Sequence, residues 1–220
     1  MSIAVLQASS VIYPDGTRVA LPDLQLEAGA ELALVGPSGS GKSTALHALA
    51  GLVTVRGEAV CAGLDLTKAT LAQLETHRAQ SVGLLFQDFH LLEGYTAIEN
   101  VIAALGLSGM GIRAATLEAR GLLERVGLAH RTHQTGARLS TGERQRVALA
   151  RALAVKPKII LADEPTAHLD AARAADALRL LRELRAELGA ALLIATHDPM
   201  VIAALPNRVT ITSNLDEVAA

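Results

Sequence analysis

Apolar residues recur along this chain with two different periods, and the change of period divides it. Over residues 3–35 short apolar runs alternate with polar positions around a Pro14-Asp15-Gly16 turn, which predicts antiparallel strands. The run at 31–35 predicts a strand, and residues 42–50 a helix that Gly51 stops. Three later runs, at 81–86, 158–162 and 190–195, are apolar without alternation. Strands of that kind are buried on both faces, as in a parallel sheet covered by helices. Residues 208–212 predict an edge strand, and residues 96–155 keep helical spacing almost throughout, with Gly127 and Pro157 as punctuation. In residues 171–188, Ala174, Leu178, Leu181, Leu184 and Leu188 share a face that Arg173, Arg179, Arg182 and Arg185 largely avoid. Glu183 and Glu187 interleave with those arginines, so the charged side reads as a solvated helix face. The expected fold is α/β: a mostly parallel sheet, an N-terminal antiparallel β subdomain and a helical insert at about residues 89–155.

Composition narrows the classes of protein this can be. A chain of 220 residues is within reach of one α/β domain, which buries roughly 70% or more of its unfolded surface. Half the residues are apolar but only 2% are aromatic, so the core has to be built from Ala, Leu, Val and Ile. No apolar run approaches the roughly 18–20 residues of a membrane span. A net charge of −2 gives no long-range attraction to nucleic acid. The lone Cys61 excludes an intrachain disulfide and suits a reducing cytosol. No secretory signal pattern follows Met1.

The most specific motif is Gly36-Pro37-Ser38-Gly39-Ser40-Gly41-Lys42-Ser43-Thr44. It fills every required position of G-x-x-x-x-G-K-[ST], between an expected strand and an expected helix. Glycines leave backbone N–H groups free to surround an anion, because no Cβ blocks the approach. Lys42 then reaches the terminal phosphates, and the Ser43 hydroxyl holds a magnesium ion. The motif in this context identifies a nucleoside triphosphate site. No N-K-x-D tetrapeptide occurs to read guanine.

Residues 159–165, Ile-Ile-Leu-Ala-Asp-Glu-Pro, predict a buried strand that delivers Asp163 to the carboxyl edge of the sheet. Open α/β sheets bind ligands at that edge. Asp163 is placed there to accept from a magnesium-bound water, and Glu164 to act on the attacking water as general base or positioning group. Residues 139–146, Leu-Ser-Thr-Gly-Glu-Arg-Gln-Arg, open a helix with Ser140 and Glu143 as an S-x-x-E capping box. Capping does not account for Gly142, a poor helix former in a first turn. Bare backbone and a serine hydroxyl at a helix N-terminus suit an anion. One helix end contributes only about 0.3–2 kcal/mol, so it supplements the main loop.

Together, and over essentially the whole chain, these motifs resemble the nucleotide-binding subunits of ATP-binding-cassette (ABC) transporters, which are P-loop NTPases. Leu139 to Glu143 is similar to the family's LSGGQ signature, with Thr141 replacing its first glycine and Glu143 its glutamine. Gln87, after a strand and before the helical insert, lies where the family has its Q-loop. Thr166-Ala-His168-Leu-Asp170 resembles the D-loop, with His168 an unusual residue in it, and His197 resembles the switch histidine. Tyr13 lies where the family stacks an aromatic on adenine; packing against the Pro-Asp-Gly hairpin is the alternative for its ring.

The resemblance implies ATP and Mg2+ as ligands. It places Tyr13, Gly36 to Thr44, Ser140, Gly142 and Asp170 around the nucleotide, and Ser43, Gln87 and Asp163 around the metal. It gives Lys42, Gln87, Glu164 and His197 parts in hydrolysis. It implies a homodimer that encloses each ATP between the Lys42 loop of one subunit and Ser140 and Gly142 of the other. That pair is expected on a separate integral-membrane permease, peripheral to the cytoplasmic face of the inner (plasma) membrane. No nucleic-acid partner and no direct contact with the transported substrate are implied. Residues 1–220 are expected to form a single ABC ATPase domain, its core and β subdomain from 1–88 and 156–220 and its insert from 89–155. Residues 82–92 and 95–101 look most like the branch of lipoprotein-releasing, macrolide-export and cell-division ATPases, of export or mechanical type. A same-fold ATPase regulating a cell-division or cell-wall process without moving a substrate is the alternative. Phe89, Leu91, Leu92 and Tyr95 are then core of the insert or a surface for the permease. His130 and His133 lack a third ligand and read as a solvated loop, not a metal pair.

Overall fold

The computed structural model describes residues 1–211, and the alternating runs at its start pair as expected. Strand β1 (Ser2–Ile12) takes β2 (Arg18–Ala20) and β3 (Leu24–Glu27) antiparallel along one edge. The Pro14-Asp15-Gly16 turn between β1 and β2 is closed by the Gly16 N–H on the Tyr13 carbonyl at 3.0 Å. Strand β4 (Glu31–Val35) departs from the antiparallel expectation for residues 3–35. Four of its five residues are buried, so it cannot lie in a half-solvated sheet and instead enters a second, parallel one.

Helix α1 (Lys42–Leu49) follows, then β5 (Val55–Cys61) on the other edge of β1, β6 (Leu64–Asp65) and α2 (Leu71–Gln80). These last three leave little trace in the hydrophobic pattern. Helix α2 buries only His77, and Gly57 with its charged neighbours interrupts β5.

The second sheet continues with β7 (Val82–Leu85), β8 (Ile159–Asp163), β9 (Ala191–Thr196) and β10 (Arg208–Thr210). Its order is β10-β4-β9-β8-β7, parallel throughout. The expected edge strand is therefore present through Thr210; Thr212 lies outside the described residues. Both faces of this sheet are covered. Ile159 and Leu161 join α1 and the antiparallel sheet in one core, while Ile160 and Ala162 face a second core built with the later helices. That two-sided burial is why the β8 and β9 runs do not alternate.

The helical stretch resolves into α3 (Ala97–Leu107), α4 (Ile112–Arg125) and α5 (Thr141–Ala154), with only two short 3-10 turns between α4 and α5. Helix α5 lies against β7 because Gly83 permits it: a Cβ there would sit 2.5 Å from the Ala152 carbonyl oxygen. Helix α6 (Ala171–Leu188) buries Ala174, Leu178, Leu181 and Leu184, the stripe its period predicts, and α7 (Pro199–Ala204) follows β9. The solvated-face reading of its arginines holds for Arg173 and Arg179 and fails for two others. Arg182 and Arg185 reach across to the buried Glu31 at the start of β4, with N–O distances of 2.7 Å each. A buried carboxylate needs such partners, and no periodicity reports them.

Candidate functional site

Lys42 opens α1, and the glycines before it shape the loop that holds it. Gly39 and Gly41 have φ of +80° and +91°, the left-handed region that side chains disfavour. A Cβ at Gly36 would lie 2.5 Å from Ser40 Oγ, so the loop closes tightly on itself. Ser40 is buried beneath it with no hydrogen-bond partner for its hydroxyl among the described residues. The buried Lys42 ammonium donates to the carbonyls of Gly36 and Pro37, at 2.8 and 2.9 Å. An ammonium has three N–H groups, so one remains.

Strand β8 brings Asp163 beside this loop. Burial pushes the Asp163 carboxyl above its ordinary value of 3.8, outweighing a hydrogen bond from Ser43 and the positive charges of His47 and Lys42. Glu164 follows with φ of +43°, a strained conformation for a side-chain-bearing residue. Both of its carboxylate oxygens are held: Oε2 accepts from the Thr196 hydroxyl at 3.0 Å, and Oε1 lies 2.5 Å from His197 Nδ1. Thr196 in turn accepts from the Asp198 N–H, and Thr166 donates to the Asp198 carboxylate at 3.1 Å. Thr196 thus holds the acidic residue directly, with Asp198 and Thr166 behind it in a chain of hydrogen bonds, and sequence reasoning did not reach this set. Their signal is faint: three ordinary polar residues beside Glu164 and His197 in the chain.

Ser38, Gly39, Gly41, Lys42, Ser43, Thr44, Gln87, Asp163, Glu164 and His197 line one cavity of about 290 Å3. Val19 of β2 completes its wall, an apolar residue with no chemical signature in the sequence. Tyr13 is not among the lining residues. It is half-buried, packs against the core under the sheet, and its hydroxyl lies 3.1 Å from Thr44 Oγ1.

Ser140 and Gly142 are elsewhere. With Glu143, Arg131, Arg146 and Arg173 they border a separate cavity of about 590 Å3 between the starts of α5 and α6. Ser140 caps α5 and Glu143 closes the expected box, its Oε2 accepting from the Ser140 N–H at 2.8 Å. A Cβ on Gly142 would meet nothing within 4 Å, so packing within the chain does not demand glycine there. Asp170 caps α6, accepting from the Arg173 N–H at 2.9 Å, and does not line the Lys42 cavity. His168 has φ of +66°, and its Nε2 lies 3.8 Å from Asp88, the neighbour of Gln87.

The aromatic and apolar cluster after Gln87 splits. Phe89 and Leu91 pack into the helical core, and Arg151 donates to the carbonyls of Phe89 and His90. Leu92 and Tyr95 are exposed. A mainly apolar groove of about 230 Å3 opens beside this loop, between Arg78, Leu84, Phe86, Ala104 and Leu107. His130 and His133 join no group of three metal-ligating side chains among the described residues. Among the same residues, no helix is long and apolar enough to cross a membrane.

Comparison with known proteins bears on the family and the fold. The family model described as ABC transporter matches residues 21–167. The lipoprotein-releasing system ATP-binding protein LolD of Shewanella oneidensis is 44% identical over 218 residues, covering 97% of this chain and 95% of that protein. The protein of the same name from Legionella pneumophila is 44% identical over 194 residues, 86% of each chain. Among solved structures, the dimeric post-hydrolysis state of the ATP-binding cassette MJ0796 bound to ADP and Pi matches with a TM-score of 0.86 at 30% identity. That match covers 96% of this chain and 94% of the other. The cbiO1 protein of Clostridium perfringens, part of the ABC transporter complex cbiONQ, matches with a TM-score of 0.79 at 25% identity, covering 96% and 85%.

Proposed function

Because this chain belongs to the ABC transporter family and is one of its ATPases, we propose that it drives a separate membrane permease by ATP-dependent closure of a homodimer. The work is of the export or mechanical class, a reading supported by the relatives named for lipoprotein release, and on this proposal it is done from the cytoplasmic face of the inner membrane. Residues 1–220 act in this reading as one ATPase unit, with 89–155 as the helical insert that meets both partners. The observation that carries it is convergence: residues 38–39, 41–44, 87, 163–164 and 197, from four separate stretches, line one cavity.

In that cavity the loop N–H groups and the Lys42 ammonium bind the β- and γ-phosphates. Tyr13, tethered to Thr44 through its hydroxyl, sets an aromatic ring beside the loop for the base. Ser43, Gln87 and Asp163 offer the oxygen ligands a magnesium ion takes, and a nearby cation relieves the burial of the Asp163 charge. When bound, such an ion neutralises charge accumulating on the phosphates. Glu164 accepts a proton from the attacking water as its oxygen bonds to the γ-phosphorus and the bond to ADP breaks. Thr196 and His197 fix both oxygens of that base, and the second nitrogen of His197 serves the γ-phosphate. Ser140 and Gly142, opening on a different cavity, contact the γ-phosphate held by the partner copy. ATP favours the closed dimer because only that state offers both sets of contacts. The exposed Leu92 and Tyr95 and the neighbouring groove are the surface offered to the permease.

Glu164→Gln tests the reading. The variant is expected to bind ATP normally, to lose turnover by about 10²–10⁴-fold as when a general base is removed, and to accumulate as an ATP-bound dimer on size exclusion. Hydrolysis at the parental rate would take Glu164 out of this role.

A further inference from the structure

The start of α5 presents an electrostatic contradiction. A helix N-terminus attracts an anion through its unpaired N–H groups. Here the third residue of the helix is Glu143, whose carboxylate folds back onto the Ser140 N–H at 2.8 Å. The Ser140 N–H and hydroxyl, with Arg131, keep that carboxyl below its ordinary value of 4.5, so it is charged at neutral pH. A fixed negative charge on the rim of the Ser140 and Gly142 cavity opposes any phosphate placed there.

Arg131 answers it. Its Nε donates to Glu143 Oε1 at 2.8 Å, the oxygen other than the one used in the capping box. Arg131 borders the same cavity, and its guanidinium keeps further N–H groups for that space. Its position is built in rather than accidental. It ends the 3-10 turn Ala129–Arg131, and the adjoining residues accept from the first turn of α3: Ile98 N–H to Thr132 and Ala97 N–H to Gln134. The pair itself is partly exposed, Arg131 at 42% and Glu143 at 22% of their side chains. Exposed pairs of this kind add little to folding. Their effect on a multiply charged ligand a short distance away is larger, because the field acts directly on it.

We propose that Arg131 is a positioning residue for the shared nucleotide site: by neutralising Glu143 it keeps the Ser140 and Gly142 end of α5 able to accept the partner copy's ATP. The inference rests on the shared-site reading above and assigns a residue to it. It also accounts for a signature that carries a carboxylate where the family pattern has an amide: the added charge arrives with its own counter-ion.

The test uses the full chain carrying Glu164→Gln, which is expected to dimerise with ATP, and adds Arg131→Gln, Glu143→Gln or both. Sedimentation velocity against ATP concentration reads dimerisation, and a fluorescent ATP analogue reads binding by the monomer. Arg131→Gln is expected to raise the ATP needed for half-maximal dimer roughly tenfold, the scale of one exposed charge interaction. Monomer binding and the melting temperature without nucleotide stay unchanged. Adding Glu143→Gln restores the dimer, and added salt narrows the deficit. An unshifted ATP dependence in Arg131→Gln, or a deficit that Glu143→Gln does not repair, overturns the inference. So does a loss of monomer binding, which would place Arg131 on the chain's own nucleotide. A Glu164→Gln parent that stays monomeric with ATP overturns the shared-site reading, and this inference with it.

Discussion

On the proposed reading, Asp163 sets binding chemistry against stability at a single side chain. The carboxyl is held above 3.8 chiefly by burial, so its ionised form costs folding free energy that only a nearby cation returns. The sign follows from linkage: with the folded value raised, Asp163 favours the folded state below 3.8 and loses that contribution as pH rises through the folded value. Asp163→Asn is therefore expected to raise the melting temperature of the nucleotide-free protein at pH 7 by roughly 2–4 °C. The gain should vanish below pH 3.8, where the parent is protonated, and magnesium-dependent hydrolysis should be lost. Thermal unfolding across pH checks the first two statements and an ATPase assay the third. At this scale the sequence was informative wherever a residue type is rare in its context. Packing alone seldom produces a Gly-rich loop ending in Lys42, or an acidic pair closing an apolar run. Thr166, Thr196 and Asp198 are ordinary in type, and only their hydrogen bonds show that Thr196 holds Glu164 while Asp198 and Thr166 stand behind it.

Among the elements, legibility followed burial. Strands β8 and β9 are covered on both faces and α6 on one stripe, so their periods stand out and their positions were readable. Helix α2 buries a single residue and β5 is broken by Gly57, so neither announces itself. Strand β4 was visible as a strand, but which sheet it joins depends on a partner, β9, some 160 residues on. The contact that fastens α6 to β4 was equally hidden. Glu31 is 4% exposed, and Arg182 donates to both its oxygens, from Nε at 2.9 Å and from a terminal nitrogen at 2.7 Å. Arg185 adds a further contact at 2.7 Å. Burial, the largest single influence, pushes this carboxyl up, and the two arginines more than reverse it, leaving it below 4.5. Breaking one side of a buried pair costs about 3–5 kcal/mol. Arg182 keeps 39% of its side chain in solvent, which lowers the expected cost of Glu31→Gln to about 2–3 kcal/mol. Denaturant titration at pH 7 measures it. Because the folded value is depressed, the contribution is full above 4.5 and is lost as pH falls through the folded value. Glu31→Gln should accordingly flatten the acid limb of the stability curve.

For the molecule as a whole, the decisive fact is that the two phosphate-seeking ends lie apart in one chain. The Lys42 loop borders one cavity and the start of α5 another, and the two cavities share no lining residue. On the proposed reading, one chain offers half of each of two sites, and a twofold pair supplies the missing halves reciprocally. If that reading holds, Ser140→Arg puts a bulky cation in the path of the partner's ATP, while Lys42→Ala removes the ammonium that holds a chain's own. Each variant alone is expected to form no competent site. In a mixed dimer, the intact Lys42 of the Ser140→Arg chain faces the intact Ser140 of the Lys42→Ala chain, and one site is whole. At equal mixing half the dimers are hybrids with one working site of two, so about a quarter of the parental hydrolysis should return if the sites act independently. Recovery should follow the product of the two variants' fractions and peak at equal mixing. A chain that completed its own site would leave every mixture as inactive as its components, because no exchange of partners could then bring an intact Lys42 to an intact Ser140.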